Sequence, residues 1–288
     1  MKEKNIIAQI SKKSFKKKLK KLKSDVTLLN NRYYIGEEIG RGGLSTVYSA
    51  TDIYCDYFDE PSNIVIKIPS LELQKNKDIS AFVYSEYSFL KKMNHENIVK
   101  VLDFGIDEES NIPYIVLEYL SGTILSELSI LDMDKKFKNR LFKTLSKTIE
   151  YVHSKNIIHA DITPSNIMVH ENVISLFDFG ISQYIKENKE ISLEYKKVKA
   201  FNPKYSAPEV LSGTSPNKES DIFSFACIMY EIYNCNPLFI ENSLEEIKNN
   251  KYAYDLSNIP FFLRNWFRNS LSINPHKRVL SSKYNKLI

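Results

Sequence analysis

The chain has 288 residues, of which 43% are hydrophobic and 26% charged, so it can build one or two folded domains and is too apolar to be disordered. Its three cysteines lack metal-ligand spacing, and no apolar run approaches the roughly 20 residues of a membrane-spanning helix, which argues against a disulfide framework, a zinc site and a membrane span. The net charge of +5 is uneven: residues 1–24 hold ten lysines and one acid, a net of +9 that leaves −4 for the rest.

The first predicted element is a basic N-terminal arm, residues 1–30. Apolar residues recur in it at spacings of four, three, four and three, which predicts one helical stripe: Phe15, Leu19, Leu22, Val26 and Leu29. The arm could dock this stripe on the rest of the chain, lie on an anionic membrane surface, or bind an acidic partner or nucleic acid. Because the start lacks the features of a secretory signal, we expect a cytoplasmic protein, with peripheral membrane association as an open alternative.

Beyond the arm, the pattern changes from strands to helices. Alternating or β-branched runs predict strands near 33–39, 47–50, 64–68, 99–104 and 114–119. Helical spacing of apolar residues predicts helices near 78–93, 134–154 and 219–234. This order predicts an α+β fold with two lobes joined near 118–122: a small β-rich N-lobe, residues 33–120, and a larger α-helical C-lobe, residues 121–288.

A glycine-rich run lies on the first predicted hairpin and consists of Ile39, Gly40, Arg41, Gly42, Gly43, Leu44, Ser45, Thr46 and Val47. Glycines allow backbone amides to approach phosphate oxygens closely, although an ordinary flexible turn explains such a run equally well when it stands alone. Lys67 ends the apolar strand 64–67, where a charge is costly without a partner. Glu86, in the following predicted helix, is the natural candidate for that partner.

The most informative segment runs from His159 to Asn166 and is followed by the tripeptide Asp178-Phe179-Gly180. Phosphoryl transfer requires a carboxylate that orients the incoming hydroxyl, and oxygen ligands for Mg²⁺. Asp161 can supply the carboxylate, and Asn166 and Asp178 can supply the metal ligands. The same tripeptide occurs at 103–105, where it lies in a predicted strand and turn.

Together with Ala207-Pro208-Glu209, these motifs follow the order found in the protein kinase family, which the chain resembles from about Tyr33 to Arg278. The resemblance implies ATP and Mg²⁺, with Mn²⁺ as an alternative ion, and transfer of the γ-phosphate to serine or threonine hydroxyls of protein substrates, autophosphorylation included. Lys67, paired to Glu86, would hold the α- and β-phosphates.

The resemblance also assigns roles to further residues. Asp161 would accept the hydroxyl proton. The implied adenine pocket uses Ile39, Val47, Leu117, Glu118, Leu120 and Met168. An implied hydrophobic spine, anchored near Asp221, contains Leu90, Val101, His159 and Phe179. Glu209 and Arg278 would form a buried structural ion pair.

Two departures from the family pattern affect the predicted chemistry. Ala160 stands where many kinases have an arginine that binds a phosphorylated activation loop, so that switch is predicted to be absent. Thr163 stands where serine/threonine kinases have a catalytic lysine, and Asn202 replaces the threonine that shares its hydrogen-bond network. Thr163 and Asn202 could form a substitute pair.

Three other functions compete with the protein kinase prediction. A pseudokinase scaffold would ordinarily lose Lys67, Asp161 or Asp178, and all three are present. A small-molecule phosphotransferase shares the His159–Asn166 pattern but lacks the Ala-Pro-Glu segment. The lysine-rich arm could bind nucleic acid, but without interleaved aromatic residues no sequence-specific nucleic-acid binding is expected.

Overall fold

The computed structural model describes residues 28–184, 201–249 and 253–280, and the chain divides into two compact units. The sheet unit runs up to Tyr84 and includes Val101–Tyr119. The helical unit comprises Ser85–Lys100 and the chain from Leu120 onward. The arm up to residue 27 lies outside the described residues, so the predictions of its helix and its membrane contact stay predictions.

The sheet unit is built on one antiparallel sheet of six strands in the order β1-β2-β3-β4-β6-β5. The strands are β1 Leu28–Leu29, β2 Tyr33–Arg41, β3 Ser45–Asp52, β4 Ile64–Pro69, β5 Val101–Ile106 and β6 Pro113–Glu118. Its core contains Tyr33, Ile66, Tyr114 and Val116, all at most 3% exposed. The β-branched and aromatic residues that predicted these strands therefore fill its interior.

The last residue of the predicted helical stripe, Leu29, belongs to a strand, so the stripe prediction is wrong at that residue. Leu28 and Leu29 pair antiparallel with Tyr34 and Tyr33. Asn30 and Asn31 both have a positive φ, and Arg32 N donates to Leu29 O at 3.0 Å. Two central residues with positive φ make a tight hairpin turn, which asparagine tolerates better than most residues.

Two helices accompany the strand connections of the first third of the chain: α1 Ile53–Tyr57 and α2 Ile79–Lys91. Asp52 caps α1 by accepting a hydrogen bond from Tyr54 N. The other Asp-Phe-Gly tripeptide, residues 103–105, lies in β5, as predicted. Asp103 Oδ2 accepts hydrogen bonds from Arg32 and Tyr33. It has a structural role in the sheet unit.

The helical unit contains most of the helices and two small sheets, in the strand orders β10-β9-β7 and β11-β8. The helices are α3 Lys135–Ser154, α4 Pro208–Leu211, α5 Lys218–Asn234, α6 Ser243–Lys248 and α7 Phe261–Ser270. The strands are β7 Thr123–Ile124, β8 Ile157–Ile158, β9 Ile167–His170, β10 Val173–Leu176 and β11 Gln183–Tyr184. A 3₁₀ turn at Pro164–Asn166 precedes β9.

The core of the helical unit forms where α3, α5 and α7 meet. Phe142, Phe225 and Trp266 contribute one ring each, with ring centroids 4.9–5.3 Å apart. All three are at most 2% exposed, and such aromatic pairs add about 0.5–1.5 kcal/mol each beyond burial. An Asn217–Ser220 capping box begins α5 and fixes the direction of its first turn, which carries Asp221.

The predicted α+β class with two compact units is confirmed. The sequence places residues 85–100 in the N-lobe, whereas their contacts group them with the helical unit. Asn97 Nδ2 donates to Ile174 O, and Val99 N donates to Leu176 O. The lobe boundary at 120/121 itself stays a prediction. Within the described ranges, no helix combines the length and apolarity needed to cross a bilayer.

Candidate active site

The predicted site residues fall into both units, and each set is described within its own unit. In the sheet unit, the glycine-rich run forms the β2–β3 hairpin, closed by Gly42 N donating to Ser45 O at 2.8 Å. Gly40, Gly42 and Gly43 have no positive φ, and a Cβ at each would meet no protein atom closer than 3.8 Å. The fold itself does not require these glycines, so they fit a group outside the protein that approaches the backbone, as phosphate does.

The neighbours of Lys67 across the same sheet include other predicted binding residues. Lys67 in β4 pairs with Val47 on one side and with Ile115 on the other, and Val65 pairs with Leu117. Because opposite residues of antiparallel strands share a face, Val47, Lys67 and Leu117 lie on one face of the sheet. Three predicted nucleotide-binding residues are thus brought together. Lys67 is only 7% exposed, although its side chain carries a charge.

The other predicted binding residues are distributed along the chain. Ile39 lies in β2 and is half-exposed, and Glu118 ends β6. Leu120 follows in the helical unit, and Met168 lies in β9 opposite Ile124 and Ser175. Glu86 is buried in the helical-unit part of α2. Its pairing with Lys67 stays a prediction.

In the helical unit, the predicted base and metal ligands belong to one hydrogen-bonded loop. Asn166 Nδ2 donates to Asp161 Oδ2 at 2.8 Å and to Asp161 O at 2.9 Å. Phe177 N donates to Asn166 O at 3.0 Å, which joins the residue before Asp178 to the same loop. Asp178 has a φ of 62°, a conformation that costs a non-glycine residue free energy and often marks a functional position.

The backbone before Asp161 is held by a buried carboxylate from α5. Asp221 accepts hydrogen bonds from His159 N and Ala160 N, both at 2.9 Å, and from His153 Nε2 at 2.8 Å. Ala160 has a φ of 68°, and these bonds hold it in that left-handed conformation. Asp221 is 1% exposed. The predicted anchor is present, and it fixes the bend that precedes Asp161.

His159 packs beneath this loop. Its Nδ1 accepts a hydrogen bond from Asp161 N at 3.3 Å, so its Nε2 carries the proton and donates to Phe177 O at 3.2 Å. The His159 and Phe179 rings lie 4.4 Å apart between centroids, and both side chains are fully buried. These two spine residues are therefore in contact. Leu90 is buried in the same unit, and Val101 belongs to the sheet unit.

The substitute pair considered for Thr163 and Asn202 does not form in the described part of the chain. Asn202 Oδ1 instead accepts a hydrogen bond from Lys204 N at 3.1 Å, and among the described residues no hydrogen bond joins Asn202 to Thr163. An asparagine that bonds its own backbone two residues on forms a local turn, which competes with longer-range pairing. Thr163 is buried, and its carbonyl accepts from Asn166 N at 3.0 Å. Its contribution here is to close the turn that presents Asn166.

The Glu209–Arg278 ion pair is confirmed. Arg278 Nη1 lies 2.5 Å from Glu209 Oε1, and Nη2 lies 3.1 Å from Oε2, a bidentate arrangement. The Arg278 guanidinium also lies 4.6 Å from the centroid of the Phe223 ring, and its side chain is fully buried. This pair fixes the Ala-Pro-Glu segment to α5 and has a structural role.

Two contacts of this unit were not predicted from the sequence. The Tyr184 ring packs edge-on against Phe89 at 4.9 Å between centroids, and its hydroxyl accepts a hydrogen bond from Lys92 Nζ. Tyr205 OH donates to Glu231 Oε2 at 2.6 Å. Burial raises the pKa of Tyr205, and the bond to Glu231 raises it further, so the phenol stays protonated. A lone tyrosine carries no sequence signal that would have indicated either contact.

A sheet with a glycine-rich hairpin and a buried lysine, and a helical unit with an Asp161–Asn166 loop and an Asp-Phe-Gly segment, together define the protein kinase class. The family model for the protein kinase domain matches residues 33–288. The chain belongs to the protein kinase family.

Similar proteins come from several bacteria. The chain is 30% identical to the serine/threonine-protein kinase PknB of Mycobacterium leprae over 75% of its length, and 32% identical to a probable serine/threonine-protein kinase of Streptomyces coelicolor over 75%. It is 31% identical to a probable serine/threonine-protein kinase of Clostridium acetobutylicum over 72%. The alignments span 34%, 32% and 30% of those proteins, so the chain spans about a third of the length of the curated relatives it matches.

Proposed function

We propose that this chain is an ATP-dependent protein kinase that transfers the γ-phosphate of Mg·ATP to serine or threonine hydroxyls of protein substrates. The observation that carries the proposal is the Asp161–Asn166 loop. Asn166 fixes the Asp161 carboxylate, and its carbonyl joins the loop to the segment of Asp178. A carboxylate aligned for a hydroxyl proton and two oxygen ligands for a divalent ion are the parts that phosphoryl transfer requires.

The protein residues divide the chemistry among them. Asp161 orients the substrate hydroxyl and accepts its proton while the hydroxyl oxygen bonds to the γ-phosphorus and the bond to the leaving ADP oxygen breaks. Asn166 and Asp178 would hold Mg²⁺, which neutralises phosphate charge when bound. Lys67 and the backbone amides of the glycine-rich hairpin would hold the phosphates. Mg²⁺ usually takes one or two protein oxygens together with substrate phosphates, and this donor set fits it.

The structural segments of the helical unit favour a protein kinase over a small-molecule phosphotransferase. The Glu209–Arg278 pair and the Asp221 anchor belong to the Ala-Pro-Glu and α5 segments that the small-molecule enzymes lack. The names of the bacterial relatives support serine/threonine specificity.

The experiment measures transfer from labelled ATP to the chain itself and to serine, threonine and tyrosine peptides. Asp161→Asn should lose transfer by at least about 10³-fold while nucleotide binding persists, because the base acts on the chemical step. Asp178→Asn should also weaken the Mg²⁺ dependence of nucleotide binding. Asp103→Asn is the matched control. It makes the same change in the Asp-Phe-Gly tripeptide of β5 and should retain activity.

Three outcomes would overturn parts of the proposal. Full transfer by Asp161→Asn would refute the assigned base. Nucleotide binding without transfer in the wild-type chain would favour a pseudokinase scaffold. Labelled phosphotyrosine without phosphoserine or phosphothreonine would refute the specificity.

A further inference from the structure

One face of α3 carries a row of positive charge that the proposed chemistry does not use. We define this basic face as Lys136, Arg140, Lys143 and Lys147, which recur at spacings of four, three and four along the helix. The opposite face is apolar and buried, with Leu141, Phe142, Leu145 and Ile149 in the core. Residues 135–147 contain six basic residues and no acid.

This charge arrangement disfavours the helix that carries it. Lys135 and Lys136 occupy the first turn, where the helix dipole favours acids, and the acid at this end is the N-cap Asp134, which lies before that turn. Lys136 with Arg140, and Lys143 with Lys147, are like-charge pairs four residues apart, which repel each other. A local conflict of this kind indicates a binding function when no fold requirement explains it.

The basic face borders a shallow, open depression. Lys135, Lys136, Asn139, Arg140 and Lys143 line it, and it encloses about 510 Å³. Arg140 is already oriented, because its Nη1 donates to Asn172 Oδ1 at 2.5 Å and its Nη2 to Glu171 O at 3.4 Å. An arginine held in this way loses little side-chain entropy when it binds an anion.

We propose that the basic face of α3 docks an acidic segment of a protein partner, and specifically of a protein substrate of the proposed kinase activity. Lys136 to Lys147 spans about 16 Å at 1.5 Å per residue, which an extended peptide covers with about five residues. Exposed acids lie near both ends of the face along the chain, Asp132 and Asp134 before it and Glu150 after it, and Glu171 lies beside it, where its carbonyl accepts from Arg140. Such a boundary would repel a broad anionic surface, such as a membrane or a duplex, but accommodates a short acidic segment.

Direct binding tests this proposal without any need for activity. The probe is a fluorescent hexaglutamate peptide, compared with hexaglutamine, on the full chain at low salt. Replacing Lys136, Lys143 and Lys147 by glutamine should weaken hexaglutamate binding by about ten-fold, as expected for three exposed ion pairs, and added salt should remove the difference. Replacing the exposed Lys75, Lys77 and Lys277 by glutamine removes the same charge elsewhere and should change binding less than about two-fold.

Cross-link mapping distinguishes peptide binding at the basic face from peptide binding at the lysine-rich arm. Carbodiimide cross-linking of hexaglutamate to the full chain, followed by peptide mapping, should place cross-links at Lys136, Lys143 or Lys147. Cross-links confined to residues 1–24 would overturn the proposal. Equal losses of hexaglutamate binding in the basic-face variant and in the control variant would also overturn it. So would binding of anionic vesicles to the basic face in preference to the peptide.

A kinetic experiment tests whether the docking site binds the substrate. A serine peptide that the kinase phosphorylates should show a KM about ten-fold lower with a hexaglutamate tail than with a hexaglutamine tail, at unchanged kcat, and the basic-face variant should lose this difference. An equal KM for both tails in the wild type would refute substrate docking. If no peptide is phosphorylated at all, the proposed function fails, while the binding and mapping results still decide whether the acidic segment docks.

Discussion

The bend that precedes the proposed catalytic base depends on one buried carboxylate. Asp221 comes from α5 and accepts three hydrogen bonds, two of them from the consecutive backbone amides of His159 and Ala160. Asp221→Ala removes all three and leaves two buried amides without an acceptor. We therefore expect the residues around Asp161 to lose their arrangement and the helical unit to lose stability.

The magnitude follows from the contacts. Hydrogen bonds to a charged group contribute about 1.5–3 kcal/mol each, so the gross loss is about 5–9 kcal/mol. Part of this loss is offset because a buried charge is removed. Relaxation of Ala160 from its left-handed conformation offsets about a further 1–2 kcal/mol of the free energy of unfolding. The expected net loss is about 3–5 kcal/mol in the free energy of unfolding.

Urea unfolding followed by circular dichroism, together with turnover of labelled ATP, measures both consequences. Asp221→Asn is the milder variant should the alanine variant not fold, because it keeps one acceptor oxygen. Ala160→Gly is the control: it removes the left-handed strain but adds chain entropy, so its stability should change by less than about 1 kcal/mol. If Asp221→Ala keeps both the unfolding midpoint and a turnover within two-fold, the anchoring argument is refuted.

Four further results are expected. Arg278→Ala should destabilise the helical unit by about 3–5 kcal/mol in urea unfolding, and lysine should restore little, because only arginine forms the bidentate pair; rescue by lysine would contradict this. Because Ala160 leaves no arginine to bind a loop phosphate, phosphatase treatment should leave the initial rate within about a few-fold, and a collapse restored by preincubation with ATP would oppose this. Tyr184→Ala should lower the melting temperature through its lost contact with Phe89, whereas Tyr184→Phe should retain most stability; equal losses would assign the effect to the hydroxyl. If the arm lies on anionic membranes, the full chain will co-sediment with anionic vesicles at low salt and a chain lacking residues 1–24 will not; if neither binds, the membrane hypothesis is refuted, and if the shortened chain loses thermal stability, the arm docks on the rest of the chain.

Local patterns predicted the five longer strands of the sheet unit, β2 to β6, and three of the seven described helices, α2, α3 and α5. The β-branched run of β4 and the helical spacing of α3 and α5 each fall within a few residues of the predicted bounds. These patterns work because a half-buried strand or helix repeats its apolar residues with its own geometric period. The hairpin at Leu29 was missed because the apolar spacing included Leu29 in a helical pattern, although Asn30-Asn31 is a turn signal.

The sequence by itself determined the family and the residues of the proposed chemistry. Phosphoryl transfer restricts the residue types that can act as base, metal ligand and phosphate-binding lysine. The roles proposed for Lys67, Asp161, Asn166 and Asp178 can therefore be assigned from the sequence motifs alone. Only the tertiary structure decided that Asp221 holds the backbone before Asp161, since its partners lie 61–68 residues away. Likewise, only the fold showed that Asn202 bonds its own backbone and leaves Thr163 to close the turn before Asn166. Hydrogen bonds between distant residues have no period along the chain, and which donor meets which acceptor is fixed only when the helices pack.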